Sequence, residues 1–300
     1  MTDTITARRV LGLGAAAGTL PYLWLKISWL SGNPLGIEDP NLLQDTSFLV
    51  ANAVTVLLAI CVSGLAAVLG TRWALRAPAV VVLLPGWVGT GLLLPTVLVA
   101  PLVPLVTSDP ADGIAGWVTP TVYSGFAVQG VFLLAAFALF VRDRWWRAAV
   151  TPSPVPEPVR ALLRATAGGG AVFGTVSAAL QLIDAAGSGS FTGVAVGVVH
   201  AGLAVTGVVA VLALAAGRAG PSTVIAAWAG SSAPFAAGLW AAATAMTTTA
   251  GGSGALLGLA DLTGLLSGFA LAVAALIAVS GSTVSYTIAT SAPRKSAVNG

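Results

Sequence analysis

The chain has 300 residues, 57% of them apolar and only 8% charged, against roughly 25% charged in an ordinary soluble domain. This composition excludes a water-soluble globular domain, and a formal charge of +3 is too small and too dispersed for a nucleic-acid-binding surface. Backbone groups in lipid have no aqueous partner, and continuous apolar runs rather than alternation point to helices, not a barrel.

The first predicted span, residues 10–30, follows Arg8 and Arg9 and runs for about the twenty apolar residues a bilayer crossing needs. Tyr22, Trp24 and Trp29 crowd its far end, at the level amphipathic rings prefer. The arginine pair before an Ala/Gly run also resembles a twin-arginine export signal. The apolar run continues well past Ala17 and seven further spans follow, so a transmembrane helix is the reading. Those spans are expected at 47–70, 78–104, 120–141, 162–184, 191–216, 221–246 and 262–288. The second holds the single cysteine, Cys61, which excludes a disulfide framework and reads as core filler. The third carries Pro78, Pro85, Pro95, Pro101 and Pro104, so it is expected to be kinked or partly unwound and to lie inside the bundle.

Charge fixes the orientation. Twelve of the thirteen cations, all but Lys26, fall on one side of an eight-span chain. The opposite loops hold Glu38, Asp39, Asp45, Asp109, Asp112, Asp184 and Asp261 and no cation. By the positive-inside rule both termini are cytoplasmic. The connector Thr151 to Pro158, TPSPVPEP, has four prolines and marks the midpoint.

Four echoes recur in the same order in the two halves. They pair Gly14–Thr19 with Gly170–Thr175, Ala53–Thr55 with Ala204–Thr206, Trp87–Thr90 with Trp228–Ser231, and Ser124–Ala127 with Ser267–Ala270, at offsets of 156, 151, 141 and 143 residues. Collinear order makes a tandem repeat the expectation. Four spans return the chain to its starting side, so the halves are parallel, related by an axis along the membrane normal. The expected fold is an all-α polytopic transmembrane bundle of eight spans. Residues 1–150 form the first four-helix repeat, 151–160 a Pro-rich cytoplasmic linker, 161–291 the second repeat, and 292–300 a disordered cytoplasmic tail. Glycine pairs at four-residue spacing, such as Gly14/Gly18 and Gly264/Gly268, are expected to pack helices closely within the bundle.

Ionisable residues in the hydrocarbon are expensive and so mark candidate sites. Lys26 shares a helical face with Ala15, Thr19 and Tyr22, while Leu13, Leu20 and Trp24 point away; the alternative is a lysine snorkelling to the headgroups. His200, the only histidine, shares a face with Gly193, Gly197, Ala204 and Gly207, where a neutral imidazole hydrogen-bonded across a helix contact competes with proton handling. Asn52, Gln129 and Gln181 also lie in the outer halves of their spans, with Thr55 one turn from Asn52. Together they imply a shallow extracytoplasmic pocket built from Lys26, Asn52, Thr55, Gln129, Gln181 and His200, with Asp184 at its rim. The alternative is a set of separate interhelical hydrogen bonds. The sequence holds no catalytic triad, metal-ligand cluster, phosphate loop or mid-membrane carboxylate pair, so no catalytic residue, cofactor or metal is assigned.

The segments Pro21 to Gly36 and Leu84 to Leu93, with Trp228 to Trp240, resemble multi-pass membrane proteins of actinobacteria that have no established activity. The resemblance implies a bacterial plasma membrane and supplies no site residues. Leu182 stands where the repeat would put a counterpart of Lys26, so any role of that lysine is asymmetric. The expected function is a non-enzymatic membrane protein that binds or moves a small anionic or lipid-like molecule through an outward-facing pocket. Alternatives are a scaffold or accessory subunit and, last, an intramembrane lipid-modifying enzyme. The partners expected are the lipid bilayer and such a ligand, with no nucleic acid.

Overall fold

The computed structural model describes residues 2–105, 113–150, 155–245 and 254–291. The expected disordered tail, residues 151–154 of the Pro-rich connector, Asp109 and Asp112 lie outside the described residues, and from Glu157 the connector is already helical. The helices are α1 (Thr2–Leu30), α2 (Thr46–Leu69), α3 (Ala79–Val99), α4 (Val118–Arg144), α5 (Trp146–Val150), α6 (Glu157–Gly187), α7 (Phe191–Ala215), α8 (Pro221–Ala245) and α9 (Ala255–Ser291). All except the short α5 are long and apolar enough to cross a bilayer. The protein is an all-α bundle of eight such helices.

Local chemistry sets several of the boundaries. Asp45 starts α2 by accepting hydrogen bonds from the Ser47 N–H at 2.8 Å and the Ser47 hydroxyl at 2.6 Å. Ser190 starts α7 by accepting from the Gly193 N–H at 3.0 Å. α3 stays α-helical through Pro85 and Pro95 and then tightens into a 3-10 segment over Ala100–Leu105, where Pro101 and Pro104 lie. It is among the most buried of the spans, as its prolines led us to expect.

α1 packs along α4, α6 packs along α9, and α3 meets α8 where the two halves of the chain join. Glycines permit the close crossings. A Cβ on Gly18 would stand 2.6 Å from the Gln129 backbone nitrogen of α4, and one on Gly174 would stand 2.6 Å from the Ser267 hydroxyl of α9. At the α3/α8 seam a Cβ on Gly91 would overlap the Ser232 carbonyl. There the Trp87 indole donates to the Ser231 hydroxyl at 3.1 Å and the Trp228 indole donates to the Thr90 hydroxyl at 3.1 Å.

Arginines tie one end of the bundle together. The Arg9 Nε–H donates to the Gly70 carbonyl at 3.1 Å, and the Arg144 guanidinium donates to the carbonyls of Ala74 at 2.8 Å and Ala77 at 2.6 Å. Arg8 is fully buried over the Phe140 ring, with Asp143 at 3.9 Å. At the opposite end a small apolar cap joins α1 to the following loops. Leu25, Trp29 and Val118 pack with Ile37, Phe48 and Ile114, the Trp29 indole donates to the Leu35 carbonyl at 2.7 Å, and Ile37 pairs with Ile114 in an antiparallel bridge.

Three expectations are corrected. Cys61 is exposed on the outside of the bundle rather than in the core, because α2 is the most peripheral span and buries only a stripe that includes Asn52, Ala59 and Ala66. Tyr22 and Trp29 are buried, not headgroup anchors: Tyr22 packs on Phe126 and Trp29 on Phe48, leaving Trp24, 70% exposed, as the outward ring. Asp261 lies within α9 rather than in a loop, because the apolar run from Ala255 to Ala260 is already helical.

Candidate functional site

A cavity of about 480 Å³ opens between the two halves, within the size range of small-molecule sites. Every one of the eight long helices contributes to its wall. α1 brings Tyr22, α2 Thr55 and Ala59, α3 Gly91, Pro95 and Thr96, α4 Phe126 and Gln129, α6 Gln181, α7 Val196 and His200, α8 Ala237, Trp240 and Ala241, and α9 Leu257 and Asp261. These positions lie toward the carboxylate-bearing end of their helices. The wall is chiefly apolar, with a few polar groups converging on it.

Backbone chemistry contributes as well. Pro95 has no N–H, so it cannot supply the helical donor that the Gly91 carbonyl would otherwise receive, and both residues line the cavity. Such a break in the ladder is tolerated at membrane depth where protein or a water-filled space covers it.

The polar side chains fall into two groups. Gln181 donates to the Asp261 carboxylate at 3.4 Å. Gln129 is almost fully buried, 2% exposed, and its Oε1 has no hydrogen-bond partner. An unmet buried acceptor costs about 1–3 kcal/mol. Thr55 donates to the Asn52 carbonyl at 2.9 Å and stands against the Tyr22 phenol. His200 is partly buried on the packing face formed by Gly197, Ala204 and Gly207.

The second group lies apart from the cavity wall. Lys26 turns inward from α1, donates to the Asn52 Oδ1, and sits over the rings of Trp29 at 4.5 Å and Tyr22 at 5.3 Å. Asn52 in turn donates to the Phe48 carbonyl at 2.7 Å. Neither Lys26, Asn52 nor Asp184 lines the cavity, although Lys26 stands over Tyr22, which does. Thr55, Gln129, Gln181 and His200 are therefore brought together by the fold, while Lys26 and Asn52 form a neighbouring cluster at the α1/α2 contact. Asp184 stands on α6 three residues beyond Gln181, near the end of that helix.

Sequence reasoning missed Asp261, Tyr22 and Trp240 as members of the site. A signal for Asp261 was present: it shares a helical face with Gly264 and Gly268, which pack against α8. Among the described residues no group of His, Cys, Asp and Glu could hold a metal ion. Comparison of the chain with protein-family models, with curated proteins and with solved structures finds no match.

Proposed function

We propose that this integral membrane protein resides in a bacterial plasma membrane, with its arginine-bearing end cytoplasmic, and binds a small molecule in a cavity open to the outside. The cavity itself carries the reading. All eight helices converge on it, and one of its lining residues is Gln129, whose buried amide oxygen no protein donor satisfies. In a scaffold whose polar residues served only to join helices, Gln129 would be expected to find a partner as Asn52, Ser177 and Ser267 do: Ser177 donates to the Ala260 carbonyl at 2.8 Å and Ser267 to the Gly170 carbonyl at 2.8 Å.

The architecture is proposed to be a tandem duplication of four helices. Across a two-fold axis any contact must recur with its partners exchanged. Trp87 and Thr90 correspond to Trp228 and Ser231, and each tryptophan donates to the hydroxyl of the other half. That reciprocity supports like-oriented halves meeting along α3 and α8.

Cysteine accessibility tests both the pocket and its direction. In a Cys61→Ser background, Ala241→Cys in the cavity wall is expected to react with a membrane-impermeant thiosulfonate in intact cells, and adding Ala237→Phe to fill the cavity should block the reaction. Arg72→Cys at the arginine-bearing end should stay unreactive until the membrane is opened. Labelling of Arg72→Cys from outside would refute the orientation, and an unreactive Ala241→Cys would favour the scaffold.

A further inference from the structure

The cavity wall also narrows the class of ligand, an inference that rests on the pocket reading above. Among the described residues no lysine or arginine lines it, and the one carboxylate that does is Asp261. The same wall presents the aromatic rings of Tyr22, Phe126 and Trp240 and an apolar surface that includes Leu58, Leu92 and Leu257. Aromatic faces and a carboxylate in an apolar setting attract organic cations, whereas an anion would meet the Asp261 carboxylate on a wall to which no described residue brings a positive charge.

We propose that the cavity takes a lipophilic organic cation, such as an amine or a quaternary onium ion, with its charge toward Asp261 and its apolar groups against the aromatic wall. The anionic ligand expected from Lys26 is set aside, since that lysine is held by Asn52 outside the wall. Lys26 instead acts as a like charge beyond Tyr22 and opposes the ligand. Its removal should therefore tighten binding.

The test compares tetraphenylphosphonium, its size-matched anion tetraphenylborate and neutral triphenylphosphine oxide. Equilibrium dialysis uses the full chain in zwitterionic nanodiscs, with empty discs subtracted. The phosphonium ion is expected to bind saturably and the borate not. Asp261→Asn should weaken binding about tenfold or more, as loss of a desolvated charge pair does, and Asp261→Glu should largely restore it. Lys26→Met should tighten binding severalfold, a sign that can be read without touching Asp261. The exposed Glu38→Gln should change nothing.

If borate or the neutral oxide occupies the site in preference to phosphonium and Ala237→Phe abolishes that binding, the cation inference falls and the pocket stands. Phosphonium binding that Asp261→Asn leaves unchanged, or that Lys26→Met weakens, has the same meaning. If none of the three probes binds, or if Ala237→Phe leaves binding intact, the pocket reading falls too.

Discussion

Replacing Gly91 by alanine probes the seam on which the two halves depend. The added methyl would lie 2.5 Å from the Ser232 carbonyl carbon and 2.7 Å from the Ala236 Cβ. Backbone of α8 cannot yield as a flexible side chain would, so the helices must separate, an overpacking cost of about 1–3 kcal/mol. Separation also stretches the two indole-to-hydroxyl hydrogen bonds, each worth roughly 0.6 kcal/mol inside a membrane protein. Alanine's better helix propensity returns about 1 kcal/mol, leaving a net loss of roughly 1–3 kcal/mol. Gly202 is the control, because a Cβ there meets nothing within 4 Å, and Gly202→Ala should gain up to about 1 kcal/mol. Unfolding free energies of the two variants in mixed micelles, followed by circular dichroism, should thus differ by about 1–4 kcal/mol. Equal stability of the two variants would refute a tight α3/α8 crossing.

Gln129→Leu removes a buried acceptor that has no partner, so thermal stability should hold or rise by about 1 kcal/mol while binding of tetraphenylphosphonium weakens; a clear loss of stability would mean that the amide serves packing. Lys26→Met should cost about 0.6–2 kcal/mol through the lost hydrogen bond to Asn52, and tryptophan fluorescence should report the change at Trp29; no change in either would show that the lysine is not engaged. Asp45→Ala should lower the melting temperature at neutral pH by uncapping α2. The Ser47 hydroxyl, followed by the Ser47 backbone N–H, holds the Asp45 carboxyl below the usual carboxylate range. Its stabilisation is therefore present above the unfolded value of about 3.9 and is lost as pH falls through the lower folded value. The gap between wild type and variant should close on acidification, and a gap unchanged at the lowest pH would contradict the cap.

The eight crossings were legible because hydrophobic length and arginine placement agree independently. So was the inward face of α1: Ala15, Thr19 and Tyr22 are buried, and Leu13, Leu20 and Trp24 are exposed. A helical wheel gives a direction but no neighbour. It turned Lys26 inward without showing that α2 would present Asn52 to it, and so grouped it with His200, a residue of the other half. Asp261 was misplaced for a different reason. A charge near the edge of an apolar run looks like the end of that run, whereas α9 begins at Ala255 and brings Asp261 to Gln181 of α6. That pairing depends on how two distant segments cross, which local pattern does not encode. The bridge between Ile37 and Ile114 was beyond reach for the same reason.

Placement of the polar groups connects the fold to its use. Where α1 meets α2 and where α6 meets α9, lysine, asparagine and serine reach partners across the contact, and each such bond fixes one helix against another. At the join between the halves the partners are tryptophan and a hydroxyl, exchanged in both directions, and the backbones approach as closely as glycine allows. Toward the carboxylate-bearing end a cavity opens between the halves, and its wall carries a proline that breaks the backbone ladder and a glutamine whose oxygen finds no donor. Each of these features costs stability if nothing occupies the space, since a buried acceptor and a freed carbonyl are both penalised in a medium of low dielectric. A bundle selected only to hold its helices together would replace both cheaply, with leucine for the amide and alanine for the proline. At the opposite end the buried Arg8 guanidinium also lacks a hydrogen-bond partner, but it stands over Phe140 beside Asp143; at the cavity a freed carbonyl and an unmet amide occur on one wall, and that combination is what the proposed binding site would use.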